Sequence, residues 1–423
     1  MKVEPAVELD GHFAVPGDKS ISHRSLMVGA VCDGETRVHG FGRSGDTEST
    51  LAAVRTLGVE VDEESDQLVV HGAGLRGLRS AQLDCGNAGT LARLVCGLLA
   101  FQDGTFTLVG DESLSRRPMQ RVAKPLEQMG ASIETTQGKL PVTIQGSRLS
   151  GITYELPVAS AQIKSAVLFA ALGASGSTTV LEPLPSRDHT ELMLQSAGVS
   201  LARRPTSVTI EPARTLRLPE VRVPGDFSSA APFVVAATLL PGSRITIHDV
   251  GLNPLRTGLL DVLERMGARI GVLNRRRAGH EAVGDLEVEH AELDATEIGR
   301  YEVPRLIDEL PLFALAAACA HGQSRVTGAH ELRLKESDRT EAVVDVLRRI
   351  GAHAQSQTDG FVVTGVPTRP RGGRIDARGD HRIAMLGAVA GLVSRDGVEI
   401  EGADTVAISF PGFFDLVDQL AVR

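Results

Sequence analysis

The chain has 423 residues, with 44 basic and 53 acidic side chains, a formal charge of −9 and 42% apolar residues, but only 12 Phe, 2 Tyr and no Trp. That length suggests two or three domains, each able to bury a core, and the apolar content excludes general disorder. Net negative charge argues against a general polyanion binder, and scarce aromatics argue against a stacking platform for single-stranded nucleic acid.

The N-terminal stretch MKVEPAVELDG lacks an apolar secretory segment, and no apolar run reaches the ~18 residues that a membrane helix needs. Cys32, Cys85, Cys96 and Cys319 show neither CxxC nor metal-ligand spacing, and three of them lie in or beside Ala/Leu/Val-rich stretches. They read as buried apolar residues in a reducing compartment. The expectation is a cytoplasmic monomer with no membrane or nucleic-acid partner.

Along the chain one pattern recurs: Gly or Asp-Gly, then alternating β-formers. It begins at Gly34, Gly104, Gly176, Gly242, Gly322 and Gly397, with successive separations of 70, 72, 66, 80 and 75. Period-2 alternation predicts a short strand at each. A nearly all-apolar, helix-length stretch precedes each strand, at 22–32, 89–101, 161–174, 228–240, 309–320 and 381–393. Helices apolar all round are buried, and their Ala and Gly content allows close packing. An amphipathic helix follows each strand, as at 253–266 and 339–350, and five of these end at Gly58, Gly130, Gly198, Gly267 and Gly351. Each unit therefore reads as strand, buried helix, strand, amphipathic helix and one or two further strands, six times over.

A longer repeat overlays this one. Val15-Pro16-Gly17-Asp18 recurs as Val223-Pro224-Gly225-Asp226, 208 residues on, and both copies lead into a buried helix. Two similar halves follow: residues 18–223, and residues 1–17 plus 224–423. Pro and Gly suit the chain crossings between them.

Charged residues collect where the buried helices start. They are Asp18, Lys19, Ser20 and Arg24 at the first, Asn87, Gly89 and Arg93 at the second, and Ser160, Ala161, Gln162 and Lys164 at the third. Asp226, Ser228 and Ser229 mark the fourth, Asp308 and Glu309 the fifth, and Asp380, His381 and Arg382 the sixth. Helix N-termini present free N–H donors and partial positive charge, so several together make an anion site without high net charge. Ser, Asp and Asn there also read simply as caps. Capping does not explain the cations, which oppose the helix dipole in a first turn. Loops before amphipathic helices add Arg116 and Arg117, Arg187, Lys335 and Arg339. Arg pairs carboxylate or phosphate in bidentate fashion and Lys acts as a point charge, so the mixture suggests more than one anionic group. Gly40-Phe41-Gly42-Arg43-Ser44-Gly45 matches a dinucleotide-binding fingerprint. The corresponding slots in other units hold quite different sequences, so the loop reads as one copy of a repeated connection.

The motifs PGDKSISHR (16–24), GNAGT (86–90), RRPM (116–119), SAQIKSA (160–166), SRDHTE (186–191), IDELP (307–311), LKESDR (334–339) and DHRIAM (380–385) span nearly the whole chain. In them the sequence resembles the enolpyruvyl transferases, and within these the branch whose acceptor is shikimate 3-phosphate. The resemblance implies an α/β (α+β) fold of two similar domains, each of three βαβαββ units around buried parallel helices, an inside-out α/β barrel with the active site in the cleft between domains. It implies transfer of the enolpyruvyl group of phosphoenolpyruvate to the 5-hydroxyl of shikimate 3-phosphate by addition–elimination, with release of phosphate, and no metal or organic cofactor. By motif, Lys19, Ser20, Arg24, Ser160, Ala161, Gln162, Arg187, Asp308 and Lys335 would hold shikimate 3-phosphate. Lys19, Asn87, Gly89, Arg117, Gln162, Arg339 and Arg382 would hold phosphoenolpyruvate.

Glu336 is the candidate proton donor, Asp308 the candidate base near the 5-hydroxyl, and Lys19 a group able to share either role. Read blandly, Glu336 is an ion-pair partner of Lys335 or Arg339, and Asp308 a helix cap. Ala161 and His189 stand where some relatives have Ser and Tyr, and Ile408-Ser409-Phe410-Pro411 lacks a Lys found in some members. The alternatives are a UDP-N-acetylglucosamine enolpyruvyl transferase and a non-catalytic repeat scaffold. The former usually has Lys-Asn where this chain has Lys19-Ser20, and a reactive Cys in the loop that here runs from Asp111 to Arg117 without one.

Overall fold

Each Gly-led stretch forms the strand at the centre of a small sheet, because its alternating side chains put one face on a core and the other in water. In the computed structural model, which describes residues 1–423, Asp33–His39 pairs in parallel with Glu220–Arg222 and antiparallel with Gln67–Ala73, which pairs in turn with Glu60–Glu63. The same order recurs as Gln82–Asp84, Thr105–Val109, Lys139–Gln145, Ser132–Thr136, and as Thr153–Glu155, Thr178–Leu181, Ser207–Ile210, Leu201–Arg204. It recurs again as Glu297–Ile298, Gly322–Val326, Gly360–Gly365, His353–Gln357. In the fourth repeat Glu8–Ala14 is the parallel partner of Arg244–Gly251, followed by Glu281–Glu289 and Arg269–Ala278. The sixth is abbreviated: Gly373–Asp376 pairs in parallel with Val398–Glu401, and Lys2–Val3 takes the place of the usual antiparallel strand.

The chain divides into two units. One holds Gly17–Pro224 with Arg277–Glu281; the other holds Met1–Pro16, Gly225–Arg276 and Ala282–Arg423. We call them the N-terminal and C-terminal units after their main segments. Each has its own apolar core. The assignment of Arg277–Glu281, the tip of a hairpin whose strands belong to the C-terminal unit, has no signal in the sequence pattern.

The predicted buried helices are Lys19–Ala30, Gly89–Leu99, Ala161–Ala171, Phe227–Leu239, Leu310–Ala318 and His381–Val393. The first starts three residues before the predicted apolar stretch, because Asp18 accepts from Ile21 N at 2.9 Å and caps it there. Lys19 and Ser20 thereby enter the first turn. The amphipathic helix predicted from Asn253 instead starts at Gly258, since Asn253 Oδ1 accepts from Leu255 N at 2.9 Å and holds a turn. The exits at Gly58, Gly130, Gly198, Gly267 and Gly351 all have φ between 87° and 104°, the left-handed region where Gly carries no steric penalty.

The glycines of the fingerprint-like loop serve backbone contact. A Cβ on Gly17 would lie 1.9 Å from Gly40 O, and one on Gly42 would lie 2.0 Å from Gly17 O. Ser44 caps the helix Gly45–Thr56, and Gly42 N donates to Ser22 Oγ at 3.0 Å. The loop lets two segments of chain run against each other and forms no nucleotide cradle.

Close helix packing in the N-terminal unit depends on Gly97, where a Cβ would sit 2.0 Å from Ala166 O of the neighbouring buried helix. Gly97→Leu is therefore expected to lose about 3 kcal/mol or more, or to fail to fold. Gly176, at φ 105° with open space around its Cβ position, is the control. Gly176→Ala should lose only the ~1 kcal/mol of backbone strain. Denaturant unfolding of both variants checks the contrast; equal losses would contradict it.

Candidate active site

In the N-terminal unit the first turns of three buried helices are cross-linked by their side chains. Arg24 is 3% exposed, and its guanidinium donates to Thr190 Oγ1 at 2.6 Å, Ser20 O at 2.8 Å and Ser165 Oγ at 2.9 Å. All three acceptors are neutral. Burial, and then the charge of Arg187, pull the Arg24 pKa down to about 10. Such a cation gains strongly from an incoming anion. Arg93 links the other two helices, donating to Gln162 Oε1 at 2.9 Å, while Gln162 Nε2 donates to Thr90 Oγ1 at 3.2 Å.

Lys19 forms an ion pair with Asp46 at 2.7 Å. Burial, and then the charges of Lys19 and Arg24, hold the His23 imidazole well below its ordinary pKa. Asn87 orients the Arg117 guanidinium, accepting from it at 2.9 Å and donating its own amide to Asp111 at 2.7 Å. A Cβ on Gly89 would lie 2.8 Å from Arg93 Nη1 and 3.3 Å from Arg117 Nη1, so Gly leaves room at that helix start beside two cations. Ser160 caps its helix through Ile163 N at 3.4 Å, and Ala161 is the first helical residue.

Two neighbours have structural duties. Lys164 is buried between Glu191 at 2.8 Å and Glu182 at 3.0 Å; burial would lower its pKa, and these two carboxylates raise it. His189 is buried with Nδ1 2.7 Å from the Glu281 carboxylate.

The C-terminal unit gathers Asp308, Lys335, Glu336, Arg339 and Arg382 into one network. Arg339 is 1% exposed; it meets Asp308 at 3.2 Å, Glu336 at 2.5 Å and Asp380 at 2.8 Å. Lys335 Nζ lies 3.2 Å from Asp308, and Arg382 lies 3.4 Å from Glu309. Asp308 does not cap a helix. Its carboxylate faces Lys335 and Arg339 through one oxygen and Arg256 at 3.4 Å through the other. Of the residues marking the fourth buried helix, only Asp226 caps it, and the Ser228 hydroxyl donates instead to Glu309.

Three members of this network receive no role from the motifs: Arg256 lies outside them, and Glu309 and Asp380 lie within them unassigned. Arg256 joins Asp226 at 3.2 Å to Asp308. Its signal is positional: in Asn253-Pro254-Leu255-Arg256 it occupies the loop before an amphipathic helix, as Arg117, Arg187 and Lys335 do in their repeats. Asp380 caps the helix it precedes, as Asp18 and Asp226 do. Burial would raise its carboxyl pKa, but the adjoining Arg339 holds it below the usual range. Glu309 accepts from Arg382 and Ser228. In this cluster the carboxylates Asp226, Asp308, Glu309, Glu336 and Asp380 outnumber the cations Arg256, Lys335, Arg339 and Arg382 by one.

This arrangement can bind anions at cationic helix starts and move protons through carboxylates held on a guanidinium. The EPSP synthase (3-phosphoshikimate 1-carboxyvinyltransferase) family model matches residues 3–417. The 3-phosphoshikimate 1-carboxyvinyltransferase of an Acidithiobacillus ferrooxidans strain is 48% identical over 99% of this chain and 96% of its own length. That of Bacillus subtilis is 44% identical over 100% of both chains. A solved EPSP synthase from Acinetobacter baumannii superposes with a TM-score of 0.89 at 41% identity, covering 100% of this chain and 98% of that one. On these matches, the chain belongs to the EPSP synthase (3-phosphoshikimate 1-carboxyvinyltransferase) family.

Proposed function

We propose that the chain transfers the enolpyruvyl group of phosphoenolpyruvate to the 5-hydroxyl of shikimate 3-phosphate, releasing phosphate, in the shikimate route to aromatic amino acids. The observation that carries this reading is that the candidate acid Glu336 and the candidate base Asp308 both contact one buried guanidinium, Arg339. Two carboxylates so placed suit a reaction in which one carbon gains a proton while a hydroxyl loses one.

Shikimate 3-phosphate is held by Lys19, Ser20, Arg24, Ser160, Ala161, Gln162, Arg187, Asp308 and Lys335. Phosphoenolpyruvate is held by Lys19, Asn87, Gly89, Arg117, Gln162, Arg339 and Arg382. At Ala161 only the backbone N–H is available to a phosphate. In the addition, Glu336 gives a proton to C3 of phosphoenolpyruvate, and the 5-hydroxyl oxygen bonds to C2 as Asp308 takes its proton. Positive charge developing at C2 is stabilised by the carboxylates. In the elimination, C3 returns a proton and the C2–O bond to phosphate breaks, leaving the enol ether. Lys19, Arg117, Arg339 and Arg382 stabilise the departing phosphate and its partner carboxylate. The reaction runs in the cytoplasm, on a monomer.

Incubation with both substrates should release phosphate only when both are present, and replacing shikimate 3-phosphate by UDP-N-acetylglucosamine should give none. Release that ignores shikimate 3-phosphate would reject the reading. Lys19→Met should lower kcat about 100-fold or more while the protein stays folded by circular dichroism; normal turnover would refute its role. Gly89→Ala should displace the Arg93 and Arg117 guanidiniums, which are flexible side-chain ends, and weaken inhibition by glyphosate about tenfold or more. An unchanged inhibition constant would contradict the steric argument.

The thiols offer a separate check on the alternative acceptor chemistry. Burial pushes Cys32 up to about 11 and Cys85 and Cys319 up to about 12, and raises Cys96 as well. Iodoacetamide at neutral pH should therefore leave activity intact and label the four cysteines only after unfolding. Rapid inactivation with one native thiol labelled would contradict this.

A further inference from the structure

Arg187 is assigned above to shikimate 3-phosphate, yet it stands in residues 182–188, which form neither helix nor strand. Pro183 and Pro185 lie in that stretch and have no N–H to give, so side chains do much of the holding. Both neighbours of Arg187 are anchored in this way. Ser186 is buried; its carbonyl accepts from Lys164 Nζ at 3.1 Å, and its hydroxyl donates to Glu182. Asp188 is buried and accepts from Arg203. Arg187 between them is half-buried.

Lys164 is the centre of the first anchor. Its buried ammonium also meets Glu191 at 2.8 Å and Glu182 at 3.0 Å, so its three N–H donors have an acceptor each. One position on, Ser165 Oγ lies 2.7 Å from Thr190 Oγ1, and Arg24 donates to both hydroxyls. Lys164 and Ser165 thus join the helix Ala161–Ala171 to the helix His189–Ser196 and to the stretch that carries Arg187. All these residues belong to the N-terminal unit. Stability alone does not account for the charged set, because apolar side chains of similar volume often replace a buried ion cluster without loss. Attraction does not account for it either: one cation against two carboxyl groups brings no net positive charge to an anionic substrate.

We propose that Lys164 is a positioning residue for shikimate 3-phosphate, acting through the Ser186 carbonyl to fix the backbone at Arg187 and not by touching the substrate. This rests on the function proposed above and deepens it. The three donors of the ammonium spread tetrahedrally, so one side chain sets a carbonyl and two carboxyl groups together. The guanidinium one residue beyond that carbonyl then meets the substrate without first losing the freedom of a loose loop.

The test is steady-state kinetics of the full-length protein. In the triple variant Lys164→Met, Glu182→Leu, Glu191→Leu the set becomes apolar and leaves no member of it as an unpaired buried charge. The KM for shikimate 3-phosphate should rise about tenfold or more, with kcat and the KM for phosphoenolpyruvate within about twofold. Partial unfolding would lower kcat alone, and a purely electrostatic role would leave the shikimate 3-phosphate KM unchanged or lower it. Either pattern would overturn the proposal. If the triple variant does not fold, Lys164→Arg is read in its place. It keeps the charge on a longer, planar group and should raise the same KM; a normal value would overturn the proposal. Arg187→Ala should raise that KM in the wild-type background and add little in the triple variant, and fully additive losses would also count against a path through Arg187. Wild-type turnover that ignores shikimate 3-phosphate would reject the proposed function itself, whatever the variants do.

Discussion

A guanidinium taken out of water needs carboxylates at hydrogen-bonding distance, and removing one partner of such a set typically costs several kcal/mol. Arg339 imposes that requirement on the C-terminal unit. Its partners Asp308, Glu336 and Asp380 come from the approach to one buried helix, the connection before an amphipathic helix and the cap of another buried helix. Satisfying one buried charge thus fixes three segments of chain that are distant in sequence. The candidate acid and base are then held in place by the requirement that keeps the arginine charged.

The N-terminal unit meets the same problem differently. Arg24 is buried against a carbonyl and two hydroxyls, and burial, with the nearby charge of Arg187, lowers its pKa. One cluster is balanced by its own carboxylates, whereas the other keeps a cation whose hydrogen-bond partners are neutral. That division suits a reaction with two anionic substrates in a protein of net negative charge. On the proposed function, anion binding falls to a few helix starts and not to the overall charge. Gly89 contributes by leaving space beside Arg93 and Arg117, and Asn87 by orienting Arg117.

Much of this was legible in the residues. Gly-led alternation marked the central strands, all-round apolar stretches marked the buried helices, and the recurrence of Val-Pro-Gly-Asp marked a division into halves. These signals are local, so a single sequence displays them. The motif residues fell into the two clusters because the repeats place equivalent helix starts and loops alike. Arg256 was not found, because its role comes from contacts with Asp226 and Asp308, 30 and 52 positions away. Lys164 looked like a site cation in sequence, yet two carboxylates bury it as a structural ion pair. Helix boundaries moved where a side chain outcompeted the apolar pattern, as at Asp18 and Asn253. Strand exchange was equally invisible: Glu220–Arg222 and Glu8–Ala14 pair with strands far along the chain, which alternation alone does not specify.

The central claim is that the carboxylate network carries a proton onto the alkene carbon of phosphoenolpyruvate and takes one away again. The most direct measurement is turnover in deuterium oxide, with mass and NMR analysis of the enol ether product. Addition followed by elimination makes C3 a methyl group bearing one solvent-derived deuterium, from which either isotope is then removed. The account predicts deuterium on the vinyl carbon of the product. A product formed at full rate with no deuterium on that carbon would contradict it.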